Sequence, residues 1–277
     1  MMNTIIVSVD FTKESKERAS FALDMAKRFN SKIIFAHAHN VIFQKTAIGT
    51  PSPLSNSGGI NRLTQQMLKE QELTKFVNNL NTSVVIENYV GVGSMENVLS
   101  DLIDKEDADL VVIGTSEESS IERLLLGNTN EKISRKVTCS VLILPDKAKK
   151  ISLDDVSLAL DAKWFENDVQ MDILFNFLRV YGSELKILHV AKDDKQLLKE
   201  KQVLEHHGTY LNRLKNYSFH TVHDDNAKNG IINFLQKQSS DLLAIVYRGH
   251  GFFKRIFDPG VRKQIISDIE MPLLILK

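Results

Sequence analysis

The sequence predicts an α/β protein made of two similar domains, each built around a parallel β-sheet. The first observation is an internal repeat: an apolar run closed by aspartate appears at residues 4–10 and again at 155–161. Two further segments recur in the same order, 109–114 as 241–246 and 140–144 as 272–276. The second observation is that short apolar runs alternate with amphipathic stretches of helical period, which is typical of βαβ units.

The elements of the first half follow from local patterns. Residues 5–9 are rich in β-branched apolar side chains, typical of a strand buried on both faces. Thr12 is a good cap for a helix that runs to about residue 29. Proline, serine and glycine at 49–59 predict a loop. The remaining elements are strands at 32–38, 83–89, 109–114 and 140–144, and helices at 61–80, 94–105 (capped by Ser94) and 121–136.

The second half repeats this order in a shorter form. The spacing between repeated positions is 151 residues for Asp10 and Asp161 but 132 for Asp109 and Asp241, so the second copy is 19 residues shorter. We place the domains at residues 1–147 and 148–277, joined by a short basic segment at 146–150. So short a linker predicts that the two domains pack together.

Composition limits the partners and the compartment. The 35 acidic and 35 basic residues balance, so no overall field favours nucleic acid or an anionic membrane. The single cysteine, Cys139, cannot form an internal disulfide and fits a reducing compartment. The chain shows neither a basic signal-peptide region nor an apolar run of about 20 residues. We therefore expect a cytoplasmic protein with neither a nucleic-acid nor a membrane partner.

The predicted fold brings two loops together. Ligands of open parallel sheets bind at the carboxyl ends of the strands, where the strand order reverses. In the first half this edge holds the loop that begins at Asp10 and the loop that begins at Gly114. Gly114 either lets a phosphate approach the backbone or simply makes the turn, and its position alone does not decide between these.

The repeat unit resembles the universal stress protein family. The resemblance rests on Asp10, residues 37–38, 109–115, 125–127, 135–136 and 139–145, and on their partners at 161, 188–190, 241–245 and 271–276. It implies two Rossmann-like domains (adenine nucleotide alpha hydrolase-like), each a five-stranded parallel sheet with helices on both faces. It also implies that pairs of such domains associate.

Nucleotide-binding members of that family carry Gly-x2-Gly-x9-Gly-Ser/Thr after the fourth strand. Here the four positions are Gly114, Glu117, Gly127 and Asn128, so two of four agree. The resemblance further implies that Asp10 lies near the ribose or adenine and that Ala38 offers its backbone to the base. The expected ATP or AMP site, in domain 1 only, consists of Asp10, Ala38, Gly114, Thr115, Gly127, Asn128 and Thr129. Glu117 places a carboxylate near the phosphates, which disfavours binding.

The second half has lost this pattern. Its four positions are Val246, Gly249, Pro259 and Gly260, and Pro259 also lacks an amide donor. We predict no ATP site of the family type there. The nearby basic and aromatic segment 248–255 is either an anion or nucleic-acid contact or a solvated loop whose phenylalanines dock elsewhere.

Histidine and cysteine patterns predict no metal centre or nucleophile. His206 and His207 are adjacent, so on a helix they point apart, while His220 and His223 fall on alternate faces of a strand. His37 and the corresponding His189 either contact a ligand or make structural hydrogen bonds. Cys139 precedes a strand and is predicted to be a buried small apolar residue.

Two functional hypotheses remain open. The first is a cytoplasmic stress-response sensor or regulator, not an enzyme, with weak adenine nucleotide binding in domain 1. The alternative is a nucleotide-free interaction or dimerisation module that acts through an unknown regulatory partner protein. The last strands, 140–144 and 272–276, are apolar and can pair edge to edge. They would do so within one chain, as intramolecular domain pairing, or between two chains in a homodimer.

Overall fold

The structure is a computed structural model. It describes residues 2–39, 57–80, 84–114, 139–145, 151–159, 171–193, 216–246 and 271–277. The predicted helix at 121–136, most of the predicted loop at 49–59, Asp161 and the domain boundary at 146–150 lie outside these ranges.

The described part of the first half contains five strands and three helices. They are β1 (Thr4–Ser8), α1 (Lys13–Phe29), β2 (Lys32–His39), α2 (Ser57–Asn78), β3 (Ile86–Val92), α3 (Met95–Glu106), β4 (Leu110–Gly114) and β5 (Ser140–Leu144). As predicted, Thr12 caps α1, and its hydroxyl accepts the Ser15 N–H at 3.1 Å. Ser94 caps α3 with its backbone carbonyl, which accepts the Val98 N–H at 3.1 Å, while its hydroxyl makes no capping bond.

Two predicted boundaries in the first half are wrong. Helix α2 begins at Ser57, inside the predicted loop, and β3 occupies residues 86–92 instead of 83–89. The apolar run that suggested the earlier strand includes Val85, whose surface is 68% exposed. The actual strand is fixed by its neighbour β2, with Ile33 opposite Ile86 and His39 opposite Val92.

The second half follows the same order of strands. Its described elements are β6 (Asp155–Ala159), α4 (Met171–Tyr181), β7 (Glu184–Ala191), β8 (Tyr217–His223), α5 (Ala227–Lys237), β9 (Leu242–Val246) and β10 (Leu273–Leu276). Helix α4 contributes to the core through Leu174, Phe177 and Leu178, which are buried.

All ten strands form one sheet in the order β3-β2-β1-β4-β5-β10-β9-β6-β7-β8. Each half is parallel and has the strand order predicted for a Rossmann-like domain. The two five-stranded arrays are not separate sheets, because β5 and β10 pair antiparallel, with Leu142 opposite Leu274. We call this β5–β10 pair the junction.

Helices cover both faces of the sheet. Helices α1, α2 and α4 pack on one face and α3 and α5 on the other, each over its own apolar cluster. On the first face Phe29 of α1 contacts Phe177 of α4, with ring centroids 5.3 Å apart. The core therefore continues from one half into the other. In the part of the chain that the structure describes, no helix combines the length and apolar character needed to cross a membrane.

A repeated aspartate ties the strands together at their amino ends. Oδ2 of Asp109 accepts the backbone N–H groups of Asn3 and Thr4 at 2.6 and 3.0 Å. Oδ2 of Asp241 accepts those of Asp154 and Asp155 at 2.9 and 3.0 Å. These bonds give a structural reason for the repeated aspartates, one in each half.

Candidate functional site

The candidate site lies at the carboxyl ends of β1, β2 and β4 in the first half. Strand β1 lies between β2 and β4, so the strand order reverses there. Val7 is opposite Val112, and two residues further on the same register places Val9 opposite Gly114. The predicted residues Asp10 and Gly114 therefore emerge side by side at this edge.

Asp10 forms a tight turn with the start of α1. Its Oδ1 accepts the Thr12 N–H at 3.1 Å and the Thr12 hydroxyl at 2.5 Å. Partial burial raises the pKa of Asp10, but the bonds from Thr12 and the charge of Arg18 outweigh it, and the pKa lies below its usual value. Asp10 is thus a carboxylate at neutral pH, and these bonds use only Oδ1.

Phe11 completes the turn and was not singled out from the sequence. Its backbone is left-handed, with φ 65°, an uncommon conformation for a residue with a side chain. Its ring lies 4.4 Å from that of His37 and 5.9 Å from that of Phe76, between centroids. Lys69 Nζ lies 5.4 Å from the Phe11 ring centroid. The turn is therefore held by contacts from β2 and from α2.

Strand β2 extends past the end of β1. The pairing of the two strands stops at Ser8 and Ala36, after which the Val9 N–H donates to the Ala36 carbonyl at 2.8 Å. Backbone N–H and C=O groups alternate in direction along a strand. Those of Ala38 therefore point the same way as those of Ala36, toward the side of β1. The chain of β1 has by then turned away at Phe11. The Ala38 backbone thus points into the space beside Asp10.

Gly114 ends β4 in register with Leu144 of β5. The corresponding strand of the second half ends in Val246, whose side chain is buried. A branched side chain therefore lies at the end of β9, whereas the end of β4 has only backbone. The other predicted site residues, Thr115, Gly127, Asn128 and Thr129, lie outside the described residues, as do Glu117, Gly249, Pro259 and Gly260.

His37 and Cys139 have structural surroundings. Nδ1 of His37 lies 2.7 Å from the Val9 carbonyl, the structural hydrogen bond that was one of the two interpretations. Burial lowers the pKa of His37, and Lys69 adds to the effect. Cys139 is buried, which raises the pKa of its thiol to about 12, so it is the inert small residue predicted.

The remaining histidines form no common site among the described residues. On β8, His220 is half-buried and His223 is exposed, in agreement with the predicted alternation of faces. His189 is buried on β7. His206, His207 and the segment 248–255 lie outside the described residues.

Comparison with known proteins gives consistent matches. The sequence model of the universal stress protein family matches residues 1–145. A universal stress protein of Methanocaldococcus jannaschii is 29% identical over 150 residues, which cover 53% of this chain and 84% of that protein. The stress response protein NhaX of Bacillus subtilis is 23% identical over 159 residues, covering 50% of this chain and 96% of its own.

A solved structure matches over the full length. The crystal structure of a universal stress protein from Archaeoglobus fulgidus covers 99% of this chain and 96% of its own, with a TM-score of 0.65 and 14% identity. At that identity the match shows the fold.

Proposed function

Because this chain belongs to the universal stress protein family, we propose that it is a stress-response regulator whose first half binds an adenine nucleotide, ATP or AMP. The observation that carries the proposal is the extension of β2 past β1. It leaves the Ala38 backbone beside the ionised carboxylate of Asp10. The edge of an adenine ring carries a hydrogen-bond donor beside an acceptor. A strand segment that is not paired with another strand offers its backbone C=O and N–H groups to both.

Each described residue then has a distinct task. Asp10 Oδ2 accepts a ribose hydroxyl, because Oδ1 is held by Thr12. The backbone of Ala38 forms hydrogen bonds with the edge of the base. Gly114 lets the phosphates approach the end of β4 without meeting a side chain. Thr115, Gly127, Asn128 and Thr129 complete the proposed cradle, as the resemblance predicts.

The second half supports the proposal as an internal comparison. Val246 fills the place of Gly114 with a buried isopropyl group. Both halves share strand order, so the difference lies in the side chains at the edge and not in the fold. We propose one nucleotide per chain.

We propose that binding serves regulation and not catalysis. Cys139 precedes β5, whose first residue pairs with Leu110 at the start of β4. It therefore lies at the amino edge of the sheet, opposite Asp10, and its raised pKa of about 12 keeps it a thiol at neutral pH.

The test is thermal denaturation of the full chain with increasing Mg-ATP and, separately, AMP. Saturation to 100 times the dissociation constant stabilises the native state by about 2.7 kcal/mol, an upward shift in Tm of several degrees. Gly114→Val, which copies the second half, is expected to abolish the shift. Asp161→Ala, at the counterpart of Asp10, is the matched control and should leave it intact.

Two outcomes contradict the proposal. One is the absence of a Tm shift with either nucleotide at millimolar concentration, which leaves the nucleotide-free interaction module as the better hypothesis. The other is a shift that survives Gly114→Val, which places the nucleotide at a different site.

A further inference from the structure

Two histidines on β2 share one face of the sheet. His37 and His39 are separated by one residue, so their side chains project on the same side of the strand. That side is the one covered by α1 and α2, because Phe35 belongs to the same apolar cluster as these helices. Both histidines are only 9% exposed.

His39 is buried, and its ring has no hydrogen-bond partner among the residues that the structure describes. Neither Nδ1 nor Nε2 is paired there, although both atoms are shielded from solvent. Buried polar atoms are almost always paired, so a doubly unpaired imidazole needs a partner such as a water molecule or a metal ion. The backbone of His39 is satisfied, since its carbonyl accepts the Gly93 N–H at 3.0 Å. The atoms of His39 that lack a hydrogen-bond partner are therefore the two ring nitrogens.

The hydrogen bond of His37 leaves its other ring nitrogen able to act as a second ligand. Its Nδ1 faces the Val9 carbonyl at 2.7 Å, and a carbonyl only accepts, so Nδ1 carries the proton. The lone pair of the neutral ring is then on Nε2. A hydrogen bond from one ring nitrogen to a backbone carbonyl is the usual support of a metal-binding histidine.

We propose that His37 and His39 together bind a divalent transition metal ion such as zinc. Imidazole nitrogen is a preferred ligand of zinc, copper and nickel. On α2, the positive charge of Lys69 is partly offset by its ion pair with Glu72 at 2.7 Å. Within the described ranges no three His, Cys, Asp or Glu side chains converge, and the other coordination positions are filled by water or an added ligand.

The second half again serves as a comparison. In the pairing registers, Leu185 occupies the place of Ile33, which puts His189 at the place of His37 and Ala191 at that of His39. The second half therefore has one imidazole where the first has two. The proposed site is specific to the first half and does not depend on nucleotide binding.

The experiment is a Co²⁺ titration of the full chain, made metal-free and without a polyhistidine tag. We expect one saturable site per chain with visible d–d absorption. His39→Gln should weaken binding by more than about tenfold, because losing only the hydrogen-bond partner of a metal ligand already costs about 10–100-fold. His220→Gln/His223→Gln, which removes two histidines from β8, is the matched control and should leave the affinity unchanged.

A conservative variant separates ligation from a structural role. His39→Cys should retain binding and add a sulfur-to-cobalt charge-transfer band in the near ultraviolet. Binding without that band, or wild-type binding by His37→Gln/His39→Gln, overturns the proposal. Electron paramagnetic resonance of the Cu²⁺-loaded wild type needs no variant. Hyperfine splitting from two nitrogens supports the site, and its absence at one equivalent refutes it.

Discussion

Replacing Gly91 with alanine is expected to destabilise the first half through one contact. A Cβ atom at Gly91 would lie 2.4 Å from Cγ2 and 2.8 Å from Cγ1 of Val98 on α3. Val98 is 4% exposed, and its branched side chain has few other rotamers, so it cannot move away. Overpacking of this kind costs about 1–3 kcal/mol, partly offset by about 0.4–1 kcal/mol from a stiffer unfolded chain. The expected net loss is about 1–2 kcal/mol.

A double-mutant cycle tests this cause directly. Val98→Ala removes both clashing methyl groups and alone costs about 1.6 kcal/mol or more in lost burial. With Gly91→Ala the new methyl fills part of that space, so the double mutant should be more stable than the sum by at least about 1 kcal/mol. Urea denaturation measures the free energy of unfolding of each variant, and the values are comparable when the slope m is the same for all of them.

The neighbouring Gly93 supplies the control. Its φ is 125° and an added Cβ meets nothing within 4 Å, so Gly93→Ala acts through backbone strain alone. Its effect should add to that of Val98→Ala. If Gly91→Ala and Val98→Ala also prove additive within about 0.5 kcal/mol, the steric explanation is wrong.

Three further predictions concern single residues. Asp109→Ala removes the acceptor of two backbone N–H groups and should cost about 2–4 kcal/mol in denaturant unfolding, whereas the exposed Asp104→Ala should change stability by less than about 0.5 kcal/mol. The pKa of His37 is lowered from 6.5, so the contribution of His37 to stability is present above that pH and is lost as pH falls. His37→Gln should flatten this part of the stability–pH curve. An unchanged curve would contradict the lowered pKa. Cys139 should react with a thiol reagent at neutral pH only as fast as the protein opens, since burial raises its pKa to about 12; labelling of the native protein at the rate of a free cysteine would contradict this.

Local signals were sufficient for most of the fold. The Thr12 cap and the apolar strand at 140–144 were predictable because each depends on neighbours in sequence, whereas the strand order followed from the family resemblance. The β3 prediction failed because the exposed Val85 resembles a core residue in sequence. Only pairing with β2 fixes that strand, and this contact is not local.

The candidate site was predictable in part. Asp10, Ala38 and Gly114 lie on one edge because strand order alone determines which loops meet. The left-handed Phe11 carried no glycine or asparagine signal, and its conformation depends on contacts with β2 and α2. The unpaired ring of His39 was equally hidden, because burial and missing partners are properties of the packed chain.

The antiparallel junction sets the direction in which each half presents its loops. Because β5 and β10 run oppositely while each array is internally parallel, the carboxyl ends of β1 and β4 lie on the opposite rim from those of β6 and β9. The edge that holds Asp10 and Gly114 and the edge that holds Val246 therefore lie at opposite rims of one continuous sheet, so a substitution at either edge tests one rim by itself.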